Sequence, residues 1–408
     1  MLKRTLLLIL ISLMLLSSAA CKSADPAKTD PAPSDTQTAA PVPAETTAPE
    51  NPVNVVDKNG TVIGVIDGRC SPSAADAGIF YSIWQPGENE KTATAEYHFF
   101  RAEDRRDLLL GTLPDQGYEA YYARKELDGI VYTLAVTGDP MDDKPDTLWL
   151  LAFDPMKGTM TQYPVSRYGF PYTALTAANG KLWIMNYEMD ARRQDKIYEF
   201  DPADGTVKEV LSYDGMKEGQ GSLRSIYSDG RKLYVLRLRD SGDGSTLFLD
   251  SYDLSYQKIS ERSLNDFMIP AGRTIHGMTG DTDIQNEFGM MVSHFAVLED
   301  RFLFYENFAI YRAVIDLETG EPLFASDDLH SISGGGGAPA LYKLVFSYDE
   351  LEQSEILVLR DGKLEKFAFT APEGPAFTRS VSHSPSGNWL VLLADEAKER
   401  ALCFFHEK

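Results

Sequence analysis

The sequence predicts an all-β fold, a seven-bladed β-propeller of four-stranded antiparallel blades, and three observations lead to it. Short runs of aromatic and branched apolar residues alternate with turn residues, which is typical of strands. An aromatic marker recurs at a constant interval through the middle of the chain. No long amphipathic helix pattern follows residue 20. A large irregular sandwich is the alternative, although such a fold does not produce a constant interval.

The marker is the aromatic residue of one strand in each unit, and the strand after it ends in an apolar residue before Asp, as in Phe200-Asp201. A unit of this kind has an apolar face that it buries only against a copy of itself, and roughly 40–50 residues is the length of a four-stranded blade. The seven markers, which are 51 residues apart for three intervals and then 70, 42 and 43 apart, are Tyr81, Tyr132, Trp183, Tyr234, Phe304, Phe346 and Trp389.

The first 20 residues predict a signal peptide. Met1-Leu-Lys-Arg4 is a short basic region, Thr5–Leu16 is an apolar core, and Ser17–Ala20 is a zone of small residues. The apolar run is too short to span a bilayer, which takes about 20 residues. The sequence therefore predicts export.

Cys21 directly follows the small residues, and Leu16–Cys21 resembles the cleavage site of bacterial lipoprotein signal peptides. This resemblance implies that Cys21 becomes the lipidated first residue of the mature protein, with the acyl chains as a stable membrane anchor. It also implies a cell-envelope location, on the outer face of the cytoplasmic membrane or, in a diderm, in the periplasm or at the outer membrane. An ordinary secretory leader with Cys21 as a spare thiol is the alternative.

Residues 21–52 predict a disordered tether, and residues 53–408 the folded domain. The tether is rich in Pro, Ala, Thr and Asp and lacks aromatic residues from Lys22 to Asn51, so it has too little apolar surface to fold. The formal net charge of the chain is −22, from 61 acidic and 39 basic residues. Such a charge disfavours nucleic acid and anionic lipid headgroups as partners.

The two ends of the folded domain are predicted to pair and close the ring. Val53–Ile66 reads as a hairpin with an Asn59-Gly60 turn, and the last unit is one or two strands short of a blade. Cys70 follows this hairpin and Cys403 lies in the last strand, so a disulfide between them would link the chain ends in an oxidising compartment. Two separate buried thiols are the alternative.

Turn sequences carry a second resemblance. Ser382–Leu390, which reads Ser-His-Ser-Pro-Ser-Gly-Asn-Trp-Leu, resembles the repeat of TolB-type propellers, and the Asp-Pro-x-x-Gly turns resemble quinoprotein-type or surface-layer repeats. The resemblance implies the fold and leaves function open.

No nucleophile elbow, phosphate loop or dinucleotide fingerprint is present in the sequence, and no cofactor is expected. Gly334–Gly337 lacks the Lys that a phosphate loop needs and predicts a flexible inter-blade loop. The six histidines are scattered, so a metal site would have to assemble from separate blades. Asp240–Ser245 has the composition of a calcium loop, but acidic hairpin tips form without metal.

The long interval between Tyr234 and Phe304 predicts an insertion near Asn265–Met291, which contains Arg273 and His276. Insertions in repeat folds usually emerge as loops on the binding face, so we predict a recognition loop here. An excursion without function is equally compatible with the pattern.

These observations favour a membrane-anchored, extracytoplasmic binding or scaffolding module for an envelope protein, peptide or glycan, expected to be a monomer. The rival hypothesis is an exported propeller enzyme, either a carbohydrate-active hydrolase or lyase or a quinone-dependent dehydrogenase; such an enzyme would gather perturbed carboxylates or histidines. An envelope-assembly subunit is a third hypothesis and predicts an exposed apolar patch.

Overall fold

The computed structural model divides the chain into two units, residues Met1–Glu50 and Asn51–Lys408. The structure describes residues 55–56, 60–62, 70–85, 94–114, 117–119, 124–137, 147–167, 174–187, 194–215, 217, 219–241, 244–264, 292–307, 311–326, 330–343, 356–367, 377–394 and 400–406. The predicted signal peptide, the tether, Cys21 and the insertion with Arg273 and His276 lie outside these residues.

The described part of the chain is all-β and contains 31 strands in seven sheets, which we number I to VII. The first hairpin is β1 (Val55–Val56) and β2 (Gly60–Val62). Sheet I contains β3 (Cys70–Ala75), β4 (Gly78–Gln85), β5 (Thr94–Arg101) and β6 (Arg106–Pro114). Sheet II contains β7 (Gly117–Glu119), β8 (Lys125–Leu127), β9 (Ile130–Thr137), β10 (Thr147–Asp154) and β11 (Thr159–Ser166).

The next two sheets have four strands each. Sheet III contains β12 (Ala174–Ala178), β13 (Lys181–Tyr187), β14 (Gln194–Asp201) and β15 (Thr206–Asp214). Sheet IV contains β16 (Ser222–Ser228), β17 (Lys232–Ser241), β18 (Gly244–Asp253) and β19 (Lys258–Ser263).

Among the last three sheets, one short strand lies between two strands of sheet VI in the chain but pairs with sheet VII. Sheet V contains β20 (Val292–Leu298), β21 (Phe302–Asn307), β22 (Tyr311–Asp316) and β23 (Pro322–Ser326). Sheet VI starts with β24 (His330–Ile332); after it comes β25 (Gly334–Gly335), which pairs with sheet VII, and sheet VI continues with β26 (Ala340–Lys343), β27 (Ile356–Arg360) and β28 (Lys363–Phe367). Sheet VII contains β29 (Phe377–His383), β30 (Asn388–Ala394) and β31 (Arg400–His406) together with β1, β2 and β25.

The predicted all-β class and the sequence repeat are confirmed by the positions of the markers. Six of them lie on equivalent strands, namely β4, β9, β13, β17, β21 and β30, each antiparallel to the strand before and after it. The seventh marker, Phe346, lies outside the described residues. The 51-residue interval is therefore the number of residues between equivalent positions of successive sheets.

The turns explain why the repeat has a recognisable sequence. Asp128-Gly129 and Asn179-Gly180 have positive φ at both residues, as a two-residue hairpin turn requires. Asp201 ends β14, where its Oδ1 accepts from the backbone N–H of Ala203 at 3.0 Å and its carbonyl accepts from Gly205 at 2.9 Å. In such Asx turns the carboxylate accepts hydrogen bonds from the backbone, so an acidic hairpin tip can form without a metal ion.

The core lies between the faces of successive sheets, and each sheet packs on the next along the chain. Sheet VII in turn packs on sheet I. Representative pairs are Phe80 and Phe153 for I and II, Tyr132 and Phe200 for II and III, Trp183 and Tyr252 for III and IV, Tyr234 and Leu303 for IV and V, Phe304 and Ile332 for V and VI, Phe367 and Trp389 for VI and VII, and Leu390 and Tyr81 for VII and I.

The first hairpin pairs with the last strand. Thr61 is the register partner of Phe404 and Val62 that of Cys403, both antiparallel. Sheet VII thus runs β1-β2-β31-β30-β29-β25. Residues from both ends of the folded unit therefore share one sheet.

Two sheets depart from the predicted four strands. In sheet II the first strand is split into β7 and β8, which both pair with β9. In sheet VII the glycines predicted as a flexible loop form β25, parallel to β29, with Gly334 opposite Ser382. The absence of side chains allows this segment to approach a neighbouring sheet closely, which loop composition alone does not reveal.

Within the described residues no helix has the length and apolarity needed to cross a membrane.

Candidate functional site

The turn after β3 is the centre of a polar cluster that joins four sheets. Asp76 lies in this turn of sheet I, and its N–H donates to Oε2 of Glu126 in sheet II at 2.7 Å. Its Oδ1 accepts from the N–H of Ser386 in sheet VII at 2.9 Å, and its carbonyl accepts from Nδ2 of Asn388 at 2.8 Å. We call Asp76, Glu126, His383, Ser386 and Asn388 the junction cluster.

Gly336 and Gly337, which lie between β25 and β26 and which we call the glycine segment, complete this junction. Gly337 donates its N–H to the carbonyl of His383 at 2.8 Å. A Cβ on Gly336 would lie 2.9 Å from Cγ of Pro385 in sheet VII and 3.5 Å from the backbone nitrogen of Glu126 in sheet II. A Cβ on Gly337 would lie 2.4 Å from the carbonyl oxygen of Ser384. Only glycine fits here, because sheets VI, VII, I and II converge at this point.

The electrostatics of the junction cluster are unusual. Burial, together with the nearby charge of Asp76, raises the pKa of Glu126 to about 7. Burial lowers the pKa of His383, although its hydrogen bond with the carbonyl of Ala338 and the charge of Asp76 oppose this. The His383 ring stacks on Trp389 with centroids 4.2 Å apart, and its buried Nε2 has no hydrogen-bond partner among the described residues. Glu126 can therefore exchange a proton near neutral pH, while His383 favours its neutral form.

A second polar cluster joins sheets V and VI. Both carboxylate oxygens of Glu306 accept from Oγ of Ser331 at 3.0 Å, and Oε2 also accepts from the N–H of Ile332 at 2.7 Å. Nδ1 of His294 lies 3.2 Å from Oε2 of Glu306. Burial tends to raise the pKa of Glu306, but the bonds from His294 and Ile332 and the charge of Arg312 lower it below its ordinary value.

Serine, histidine and a carboxylate meet in this second cluster, yet their order is not that of a nucleophilic triad. A triad needs the serine hydroxyl on the imidazole and the imidazole on the carboxylate. Here the hydroxyl of Ser331 donates directly to Glu306. The arrangement fastens the first strand of sheet VI to sheet V and does not activate the serine.

The same type of fastening recurs between other sheets. Oδ2 of Asp195 in sheet III accepts from the N–H of Leu223 in sheet IV at 2.8 Å. Oγ of Ser382 in sheet VII accepts from the N–H of Ala74 in sheet I at 2.7 Å. In each case a side chain of one sheet satisfies a backbone donor on the first strand of the next, as buried N–H groups require.

Sheet IV contains an ionic network centred on Arg237, whose side chain is almost fully buried. Its Nε lies 2.7 Å from Asp250 and its Nη2 lies 2.5 Å from Glu261. Nη1 donates to the carbonyl of Gln220 at 2.5 Å. Arg239 pairs with the same Glu261 at 3.2 Å. These partners account for the charge of both arginines, and the network is structural.

The cysteines of the predicted disulfide lie in different sheets. Cys70 is the backbone register partner of Ile83 in sheet I, and Cys403 that of Val391 and Val62 in sheet VII. Their side chains, like Cys21, Arg273 and His276, lie outside what the structure describes, so the disulfide, the lipid site and the recognition loop stay predictions. Across the described ranges no three His, Cys, Asp or Glu side chains are placed to hold a metal ion.

Glu126 and Asp76 could not be recognised as a pair from the sequence, because 61 acidic residues offer too many pairs to choose from. The available signal was their position, since both lie at or next to the hairpin turn that follows a first strand. Arg224 was not predicted either; it occupies a β-bulge in β16.

No family model matches the chain, and no curated protein matches it. Solved structures do align with it. The β-propeller domain of the Trilobed protease from Pyrococcus furiosus is 12% identical with a TM-score of 0.43, and the alignment covers 72% of this chain and 83% of that one. The WD40 β-propeller domain of Doa1 is 12% identical with a TM-score of 0.40, covering 85% and 96%. A chain of the Mitotic Checkpoint Complex is 11% identical with a TM-score of 0.46, covering 91% and 99%.

Proposed function

We propose that this protein is exported, anchored to a membrane through lipid on Cys21, and built as a seven-bladed propeller that binds or scaffolds a protein, peptide or glycan of the cell envelope. The observation that carries the proposal is the cyclic series of sheet contacts, in which each sheet packs on the next and Leu390 of sheet VII packs with Tyr81 of sheet I. A ring of this kind presents its loops around a central mouth.

Closure of the ring is supported by the pairing of Thr61 with Phe404. Deletion of residues 53–62 should then lower the melting temperature of the purified protein by many degrees, because β31 loses its partner strand. Deletion of residues 30–39, which removes the same length from the predicted tether, is the matched control and should leave the melting temperature unchanged. Equal melting of the two deletion variants would refute closure by this hairpin.

The lipid anchor is tested on the mature cysteine. In bacteria that produce the chain, Cys21→Ser should move the protein from the membrane to the soluble fraction and remove the mass of the acyl chains from the N-terminal peptide. Cys70→Ser and Cys403→Ser leave the leader intact and should stay in the membrane. A Cys21→Ser variant that remains in the membrane with unchanged mass would disprove lipidation.

Binding is tested by crosslinking in intact envelopes, with the lipid-anchored protein as bait. Recovery of the same envelope component by the wild type and by a variant that lacks residues 30–39 would support a scaffold that needs no fixed tether length. A bait that recovers only the background of an empty membrane, while the purified protein turns over a glycan, would replace the binding proposal with an enzymatic one.

One observation favours the enzymatic rival, namely the raised pKa of Glu126 beside Asp76. A carboxyl group with a raised pKa can act as the general acid in glycoside chemistry. Any such activity should fall by at least about 100-fold in Glu126→Gln, because a general acid contributes roughly that much. Turnover that survives this substitution would exclude the junction cluster as its source.

A further inference from the structure

We propose that Arg224 anchors the carboxylate group of an acidic ligand at the end of sheet IV where β16 begins. The proposal rests on the binding function above and specifies the chemistry of the ligand. It is carried by the geometry of β16 and by the charges around it.

Arg224 is the extra residue of a β-bulge. In the pairing of β16 with β17, Leu223 is opposite Arg237 and Ser225 is opposite Leu236, and the register skips Arg224. Bulges turn a side chain out of the regular alternation and are frequent next to functional sites. Leu223 and Ser225 are buried, whereas Arg224 is only partly buried.

The guanidinium of Arg224 lacks a partner among the residues that the structure describes. Its Nε is buried and donates to no acceptor there, and no described carboxylate forms an ion pair with it. The carboxylate that reaches the adjacent residue is already engaged, because Oδ2 of Asp195 accepts from the N–H of Leu223 at 2.8 Å. A buried N–H donor left unpaired is costly, so a position of this kind calls for an acceptor.

Three other arginines of the same sheet show what Arg224 lacks. Arg231 pairs with Asp229 at 3.0 Å, Arg237 with Asp250 at 2.7 Å and Arg239 with Glu261 at 3.2 Å. The whole chain has 61 acidic and only 39 basic residues, so acidic partners are plentiful. An arginine that stays unpaired in such a sequence is suited to a ligand, and its planar fork matches a carboxylate with two parallel hydrogen bonds.

The position of Arg224 fits a ligand that enters from one end of the sheets. β16 is an edge strand of sheet IV, and Arg224 lies near its start, whereas the junction cluster and the glycine segment lie at the turns that follow the first strands. The same bulge recurs in sheet VII, where the register of β29 skips Arg379 between Thr378 and Ser380. Both sheets therefore have an Arg-Ser bulge at the same place on the first strand.

The test uses the full-length protein in detergent, with citrate as the carboxylate probe and chloride of equal ionic strength as the reference. Isothermal titration should show citrate binding to the wild type and at least tenfold weaker binding to Arg224→Gln. Arg224→Lys should be intermediate, because it keeps the charge and loses the fork. Arg231→Gln, which removes a paired arginine from the other end of the sheet, should bind as the wild type does.

In chloride alone Arg224→Gln should melt near the wild-type temperature, since it removes no hydrogen bond or ion pair among the described residues, and this excludes misfolding as the cause of lost binding. Equal citrate binding by wild type and Arg224→Gln, or no citrate binding by the wild type, would overturn the proposal. Neither result depends on the envelope crosslinking, so failure of the anion site and failure of the binding function remain distinguishable.

Discussion

The seam between sheets II and III and the seam between sheets VII and I are built from different contacts. The first is an apolar cluster in which the centroid of the Phe200 ring lies 4.8 Å from the ring centroid of Tyr163 and 6.0 Å from that of Tyr132. The second combines apolar packing of Leu390 with hydrogen bonds across the seam, from Ala74 to Ser382 and from Asn388 to the carbonyl of Asp76.

The difference follows from how the sheets are connected. Sheets II and III follow each other in the chain, so a short connection already limits their relative positions. Sheets VII and I are brought together by contacts between residues 308 to 313 positions apart, which close a very long loop. Apolar contacts are not directional, whereas hydrogen bonds fix one alignment. Polar groups therefore help to define the register at the seam between sheets VII and I, as they also do between sheets III and IV and between sheets V and VI.

The largest effect is expected at the apolar seam. Phe200→Ala removes a fully buried ring from between sheets II and III and should lower the free energy of unfolding by about 3–5 kcal/mol. Urea unfolding followed by fluorescence measures it. Met156→Ala, on an exposed turn of sheet II, is the control and should stay within about 0.5 kcal/mol. A loss below about 1 kcal/mol for Phe200→Ala would mean that this seam is not a main source of stability.

At the seam between sheets VII and I the expected loss of stability is smaller and confined to the neighbouring strands. Asn388→Ala removes the donors to the carbonyls of Asp76 and Ala75 and should destabilise by about 1–3 kcal/mol. Amide exchange of the Ala74–Ala75 segment should accelerate more than exchange in sheet III. Ser386→Ala keeps the backbone N–H that bonds to Asp76, so it should change little. Uniform acceleration in all sheets would contradict a separate role for this seam.

The next prediction concerns the pH dependence of the neighbouring seam between sheets I and II, where Glu126 accepts from the backbone N–H of Asp76. Because the folded state raises the pKa of Glu126 to about 7, it binds this proton more tightly than the unfolded chain does, so stability falls as pH rises from about 4.5 to about 7 and is then constant. Gln at this position stays neutral and still accepts from Asp76. Glu126→Gln should therefore be more stable than the wild type by about 1–3 kcal/mol at pH 8 and nearly equal at pH 4.5.

Urea unfolding at three pH values tests this, and Phe200→Ala provides the comparison, because its loss should be the same at each pH. A Glu126→Gln difference that does not change with pH would show that the carboxyl of Glu126 titrates normally in the fold.

The strands and their order were largely predictable, whereas the junction was not. The spacing of Tyr132 and Trp183 located equivalent strands because a period survives even where single residues vary. The hairpin was visible because Asn-Gly is a strong local turn signal, but the predicted position of the turn was wrong, since Gly60 lies in β2 opposite Val56. Gly334 was misjudged, since its pairing with Ser382 depends on a neighbouring sheet and not on local sequence.

The candidate sites were beyond sequence reasoning for a related reason. Glu126 and Asp76 are 50 positions apart, and the proximity that shifts the pKa exists only once the sheets are packed. The bulge at Arg224 depends on how β16 pairs with β17, which composition does not show. The predictions that depended on local patterns were accessible, and those that depended on contacts between sheets were not.

The smallest effect is expected at His98, whose ring stacks on Tyr81 at the seam between sheets I and VII with centroids 5.0 Å apart. Burial alone would lower its pKa, but the hydrogen bonds and charges of Asp107 and Glu96 raise it above its ordinary value. The protonated ring therefore stabilises the fold below about pH 6.5, and this contribution is lost as pH rises through the folded pKa. His98→Gln should destabilise by less than about 1 kcal/mol at pH 5.5, because Asp107 is 45% exposed, and the difference should shrink by pH 8.5. Urea midpoints at both pH values measure it, and a larger loss at pH 8.5 than at pH 5.5 would show that His98 acts through packing and not through its charge.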